Sequence, residues 1–206
     1  MNPTVEALRA AFGTAIGRAS VARDGETIVY VRPDRLTDVM QWLRDTPGQR
    51  YDYLVDVTAI EYRDGERPLE VAYFLRALER RVDLRVKVEL DPAGELAVGS
   101  VVPLWNGANW LEREVYDMFG ISFRGHPDLR RILMWETYAE GHPLRKDFPL
   151  RGRFSRAEQV HQALAANPEA HYSMEELTLA AAYQELPADM KERLRKGERG
   201  KVSHSE

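Results

Sequence analysis

The hydrophobic pattern of the chain changes period several times, and each change marks an element. Leu36, Val39, Met40 and Leu43 recur at helical spacing after Pro33, which predicts a surface helix ending at Thr46-Pro47-Gly48. Val5, Leu8 and Phe12 predict an earlier helix, with Asn2-Pro3 as its cap and Gly13 past its end. Between them, Ala19 to Arg23 and Glu26 to Val31 flank Asp24-Gly25, a dipeptide that tolerates the positive φ of a hairpin turn. Three further strands follow. Tyr51, Tyr53, Val55 and Val57 alternate with Asp52, Asp56 and Thr58, and Leu69, Val71, Tyr73 and Leu75 alternate beyond a turn at Arg63-Asp64-Gly65. Leu84, Val86, Val88 and Leu90 alternate with Arg85, Lys87 and Glu89 until Asp91-Pro92-Ala93-Gly94 closes the run. This alternation gives each strand one wet face. With short links between strands, the expected class is α+β: a single mixed, largely antiparallel sheet with helices packed on one side.

Past Leu150 the texture changes. Ser155 to Glu158 and Ser173 to Glu176 have capping-box spacing, Asn167-Pro168 and Pro187 interrupt the chain, and Lys191 to Glu206 is almost wholly polar. The expected organisation is an α+β domain over 1–150, then peripheral helices and an extended, polar, partner-binding tail over 151–206. A length of 206 residues with 44% hydrophobic content suits one core plus such an appendage. The absence of cysteine excludes disulfides, thiolate metal ligation and a cysteine nucleophile. No run is apolar enough to predict a membrane span and the N-terminus lacks signal-peptide character, so a soluble, unexported chain is expected. The net charge of −4, mixed in sign, gives no basic footprint for nucleic acid.

The stretch from Trp105 to Leu150 differs in kind. Asn109 reads as the cap of a helix with Leu111, Val115 and Met118 on one face and Glu112, Arg113, Glu114 and Asp117 on another. The plain reading of the charged set is a solvated face on which Arg113 and Asp117 pair across one turn. Trp105, Trp110, Tyr116, Phe119 and Phe123 make the same segment aromatic, a composition that interface cores favour. Two Gly-His-Pro turns follow, Gly125-His126-Pro127 leading to Arg130-Arg131 and Gly141-His142-Pro143 leading to Arg145-Lys146-Asp147. Seven Lys or Arg against four Asp or Glu between Arg124 and Arg153 make this region locally basic, which suits an acidic protein surface. His126 and His142 invite a metal or acid–base reading, but neither has ligand spacing, and a bond to a backbone carbonyl or to Asp117 is the simpler expectation. Asp52 and Asp56 likewise read as the wet side of a strand rather than as catalytic carboxylates. No nucleophile elbow or phosphate-binding glycine motif is present.

The run Glu112-Arg113-Glu114-Val115-Tyr116-Asp117-Met118-Phe119-Gly120-Ile121, with His126-Pro127-Asp128-Leu129-Arg130-Arg131-Ile132-Leu133, resembles the signature of a peripheral-arm subunit family of NADH-quinone oxidoreductase, respiratory complex I. Gly141 to Pro149 is similar to that family's second block, and Tyr53 to Ala59 to its N-terminal strand. The resemblance implies a non-catalytic α+β subunit at the cytoplasmic face of the cell membrane, in the peripheral arm of a proton-translocating complex. Its implied partners are the quinone-site subunit and neighbouring iron–sulfur subunits. FMN, iron–sulfur clusters and quinone would belong to the complex, with no cofactor in this chain. It places Glu112, Arg113, Glu114, Asp117, Arg130, Arg131, Arg145, Lys146 and Asp147 at or beneath the partner interface, so reversing Arg130 and Arg131 is expected to weaken assembly without unfolding the domain. Two other readings remain open at this point: the equivalent scaffold subunit of a membrane-bound hydrogenase or formate hydrogenlyase, and a stand-alone hydrolase using His126 or His142 with Asp117 or Asp147.

Overall fold

The computed structural model describes residues 3–23, 25–62, 69–150 and 152–166, together with residues 188, 191 and 192. The chain divides into two units, Met1–Glu158 and Gln159–Glu206. The Asn2 cap, Asp24, the Arg63-Asp64-Gly65 turn, Asn167-Pro168, the Ser173 capping box, Pro187 and nearly all of the polar tail lie outside the described residues.

The first unit opens with α1 (Pro3–Phe12), which buries Val5 and Leu8, and continues through a 3-10 turn into the hairpin of β1 (Ile16–Val21) and β2 (Thr27–Val31). Gly25 has φ 85° in the connecting turn, as the Asp-Gly dipeptide predicts. In α2 (Leu36–Asp45) the four stripe residues Leu36, Val39, Met40 and Leu43 are all buried. Then come β3 (Tyr53–Ile60), β4 (Leu69–Ala77) and β5 (Val82–Leu90). The five strands form one mixed sheet in the order β1-β2-β5-β4-β3, antiparallel throughout except between β2 and β5. Asp91 closes β5 by accepting from the Ala93 amide through its side chain and from the Gly94 amide through its carbonyl. A second sheet was not legible in the alternation: β6 (Ala97–Gly99) and β7 (Ser122–Arg124) pair in parallel on either side of α3 (Ala108–Phe119). Each of these strands has only three residues, too few to show a period.

One face of the large sheet is the core. Val29, Val86, Val88, Val71, Tyr73 and Val57 pack there with Leu8 of α1, the α2 stripe and Val115, Met118 and Phe119 of α3. The register of β3 departs from the expected alternation. Leu54 pairs with Leu75 but Asp56 pairs with Phe74, so Val55 is an extra residue in a bulge and the parity of the strand reverses. Leu54, Val57 and Ala59 therefore join the core, while Tyr53 and Val55 are half exposed.

The opposite face is also less wet than alternation predicts. On β4, Glu70 and Ala72 are buried, because Glu70 takes the Lys87 ammonium at 2.6 Å and the hydroxyls of Tyr62 at 3.0 Å and Tyr30 at 3.3 Å. Burial is the largest influence on Lys87 and opposes its charge, but the bond to Glu70, the Glu70 charge and the nearby Tyr30 and Tyr62 together outweigh it and hold the ammonium's pKa above its ordinary value. Glu70→Ala would strand that cation and is expected to cost about 3–5 kcal/mol, whereas Glu70→Leu with Lys87→Met should recover most of the loss. Chemical denaturation of the purified chain measures both; equal losses in single and double variants would contradict the pairing.

Candidate docking site

The charge-rich helix α3 is enclosed on two sides. Ala108, Val115, Met118 and Phe119 meet the core, and its first turn follows Gly107 without a side-chain cap. Asn109 is thus not the cap that its residue type suggests; it lies inside the helix, and its carbonyl accepts from His126 Nε2 at 3.2 Å. The face that periodicity assigns to solvent is buried instead: Glu112 and Asp117 are 0% exposed and Arg113 5%. The loop from Gly125 to Phe148 closes over Arg113 and Asp117, whereas Glu112 is met by Ser100 and Val101.

Asp117 organises that loop. Its Oδ1 takes Arg131 Nη1 at 2.6 Å, and its Oδ2 accepts three consecutive backbone amides, Ile132 at 3.0 Å, Leu133 at 2.8 Å and Met134 at 2.8 Å. Burial alone would raise the pKa of this carboxyl, but the Met134 amide, Arg131 and the other two amides together hold it below the ordinary range. Arg113 does not pair with Asp117 as spacing predicts. It crosses to the loop, donating from Nε to the Arg130 carbonyl at 3.1 Å and from Nη2 to the Arg131 carbonyl at 3.0 Å. A helical carboxylate and a helical guanidinium therefore hold the amides and carbonyls of one short segment.

The two Gly-His-Pro turns dock on the same helix. The Asp128 amide donates to His126 Nδ1 at 3.0 Å, so Nε2 carries the proton given to Asn109. His142 Nδ1 donates to the Asp117 carbonyl at 3.0 Å, which satisfies a helix-terminal acceptor. Arg131 Nη2 reaches the Gly141 carbonyl at 3.0 Å and the Leu144 amide reaches the Met118 carbonyl at 3.0 Å, so the second turn is tied to the first and to the helix. Gly120 ends α3 at φ 75°, and a Cβ there would lie 2.6 Å from the His142 ring. Only glycine meets both demands.

The residues expected at the interface fall into two groups. Glu112, Arg113, Asp117 and Arg131, whose side chain is 15% exposed, are internal struts. Glu114, Arg130, Lys146 and Asp147 are exposed, and Arg145 is partly buried with one guanidinium nitrogen 3.4 Å from the Phe119 carbonyl. Reversing Arg131 would set two carboxylates together and is therefore expected to destabilise the domain, which leaves the exposed Arg130 as the one of the two whose reversal should spare the fold. The sequence pattern did not point to Glu140, buried and accepting the Arg153 amide at 2.6 Å, or to Glu61, which accepts the Lys146 amide at 2.7 Å. Their partners are backbone amides, which have no sequence signature. On the surface that the struts support, Trp110 is 62% exposed, Leu133 61% and Leu144 51%.

The family profile described as "Respiratory-chain NADH dehydrogenase, 30 Kd subunit" matches residues 29–154. The chain belongs to that family. It is similar to the C subunit of NADH-quinone oxidoreductase from Roseiflexus sp. (strain RS-1), with 47% identity over 72% of this chain and 84% of the relative. The equivalent subunit of Citrifermentans bemidjiense is 42% identical over 73% of this chain and 91% of its own length. Among solved structures, a trypsin-resistant fragment of Nqo5 superposes with a TM-score of 0.52 at 28% identity, covering 60% of this chain and 97% of the fragment. A chain of the archaeal membrane-bound sulfane sulfur reductase shares the fold, with a TM-score of 0.58 at 21% identity over 71% of this chain and 84% of that one.

Within this 30 Kd subunit fold, Glu112 is the second buried carboxylate of α3, and its environment is poorer than that of Asp117. Ser100 Oγ and the Val101 amide donate to it at 2.7 Å each, and no cation among the described residues is paired with it. Burial dominates these bonds and pushes its pKa from 4.5 to about 7. It faces Tyr73 on β4, whose phenol is raised well above its ordinary range by burial and then by the Glu112 charge. In the window from 4.5 to about 7 the folded chain keeps a proton that the unfolded chain has released. Stability therefore falls as pH rises through this window, by about 3 kcal/mol in all. Glu112→Gln is expected to remove this decline, so the stability difference between variant and parent should change by about 3 kcal/mol between roughly pH 4.5 and 8. A difference independent of pH, measured by urea unfolding at both ends, would show that Glu112 is ionised throughout.

Proposed function

We propose that this chain is a structural subunit of the peripheral arm of a proton-translocating NADH-quinone oxidoreductase, with no catalytic residue of its own. It docks against the quinone-site subunit and neighbouring iron–sulfur subunits at the cytoplasmic face of the membrane. The observation that carries this reading is the match to NADH-quinone oxidoreductase relatives across the segment in which Asp117 and Arg113 clamp a loop to α3. That clamp presents Trp110, Leu133, Leu144, Arg130 and Lys146 outward on a rigid base. Trp and Arg held in fixed positions are the residue types that dominate association energies, and rigidity lowers the ordering cost of binding. Glu114 and Asp147 edge the same surface.

The chemistry of the buried residues supports a structural role over hydrolysis. His126 has both ring nitrogens on backbone partners, and Asp117 is occupied by Arg131 and three amides. Neither histidine pairs with a carboxylate among the described residues, as a general base would require. FMN, iron–sulfur clusters and quinone are assigned to other subunits. The fold alone also fits a sulfur-reducing respiratory complex, and it is the identity to NADH-linked relatives that favours the present assignment over a hydrogenase-type machine.

Purification from native membranes through a tag on this chain is expected to bring down the quinone-site and iron–sulfur subunits. Arg130→Glu with Trp110→Ala should reduce their recovery at least about tenfold, while the thermal unfolding of the purified variant stays within a few degrees of the parent. Undiminished recovery would remove this surface from the interface, and isolation of the parent chain alone would remove the assembly itself.

A further inference from the structure

A groove of about 590 Å³ lies across the face of the large sheet opposite the core, lined by Gly25, Glu26, Val55, Phe74, Arg76, Arg81 and Asp83 among others. Among the described residues of the first unit, α1, α2 and α3 all contribute to the core on the other side, so no helix of the three fills it. Its floor is apolar. The bulge in β3 delivers Val55 to this face at 49% exposure, next to the Phe74 ring on which the Arg85 guanidinium lies at 4.4 Å.

At the rim one cation is left without a partner among the described residues. Arg85 pairs with Glu26, and Arg76 pairs with Asp83 at 2.6 Å, so each of these charges is matched locally. Arg81 is different: it is exposed, it lines the groove, and it makes no ion pair or hydrogen bond within the described residues. Its backbone sits at φ 53°, a conformation that a branched-chain or bulky side chain rarely takes and that costs about 1 kcal/mol or more. Glycine would relieve that strain, yet an arginine stands at the groove's edge. Along the same border, β3 pairs only with β4 among the described residues.

We propose that this groove receives an extended acidic segment of another subunit of the assembly, a carboxylate pairing with Arg81 and an apolar side chain resting on Val55 and Phe74. The inference rests on the assembly proposed above but concerns a second surface, on the face opposite the helices. An unmatched cation beside an apolar floor selects a segment with a carboxylate within a few residues of a Leu, Val or Phe. A neutral strand would leave Arg81 facing nothing.

The test uses the assembly purified from native membranes, with a benzophenone amino acid at position 55. Irradiation is expected to yield a cross-link to one other chain, at a segment holding Asp or Glu close to the attachment point. Arg81→Glu should cut the yield about tenfold, and replacing that carboxylate residue by Arg in the partner should restore it. Arg81→Gly separates charge from backbone strain: the chain should unfold at higher temperature while the cross-link weakens. Retention of the chain in the assembly without any cross-link, a cross-link to a second copy of this chain, or a yield indifferent to Arg81 would each overturn the groove and leave the assembly standing. Absence of the chain from every assembly would overturn both.

Discussion

Asp117 is a carboxylate with no access to water, and the shape of the whole segment from Gly125 to Phe148 depends on how it is satisfied. A buried carboxylate left unpaired would cost several kcal/mol, so its oxygens must find donors. They find one guanidinium and three successive amides, which fixes the backbone of 132–134 against the helix. Arg113, one turn earlier, binds the carbonyls just before that segment. Donors and acceptors of a single loop are thus held by opposite charges from a single helix. An irregular stretch with little regular secondary structure is thereby tied to a helix through both its amides and its carbonyls.

That constraint explains the distribution of the remaining charge. Residues that would be obvious binding cations by type, Arg131 and Arg113, serve as internal fasteners, and the exposed Arg130 and Lys146 stand on the scaffold they create. The same arrangement recurs on the far side of the sheet, where Glu70 gathers Lys87, Tyr30 and Tyr62 into a buried polar layer. In both places rigidity is obtained from polar contacts with fixed geometry, which suits the structural role proposed above. Glu112 is the exception. It is held by two donors without a cation among the described residues, and with its pKa raised to about 7 its proton responds to pH near neutrality.

Much of the fold could be read along the chain because local patterns agreed with the tertiary outcome. The α2 stripe and the alternation of β5 occur where periodicity put them, the Asp-Gly turn joins a hairpin whose first strand begins three residues earlier than expected, at Ile16, and the Ser155 hydroxyl accepts the Glu158 amide at 3.2 Å as a capping box requires. The pattern failed where long-range partners decide. Nothing in Tyr53-Leu54-Val55 announces a bulge, and one extra residue moved Tyr53 and Val55 to the opposite face. The charges of α3 were assigned to water because helical amphipathicity equates charge with exposure; their partners, mostly main-chain groups, lie more than ten residues away and leave no local pattern. The family blocks nonetheless marked this segment as special, since such a clamp requires Arg113, Asp117, Gly120, Arg131 and His142 together.

The clamp is tested most directly by hydrogen exchange at the amides of Ile132, Leu133 and Met134 in the purified chain. If Asp117 holds them, they exchange as slowly as the amides of β4 and β5, and Asp117→Asn speeds them by at least about a hundredfold with the strands little changed. Rapid exchange at all three positions in the parent chain, at the rate of an open loop, would contradict the account.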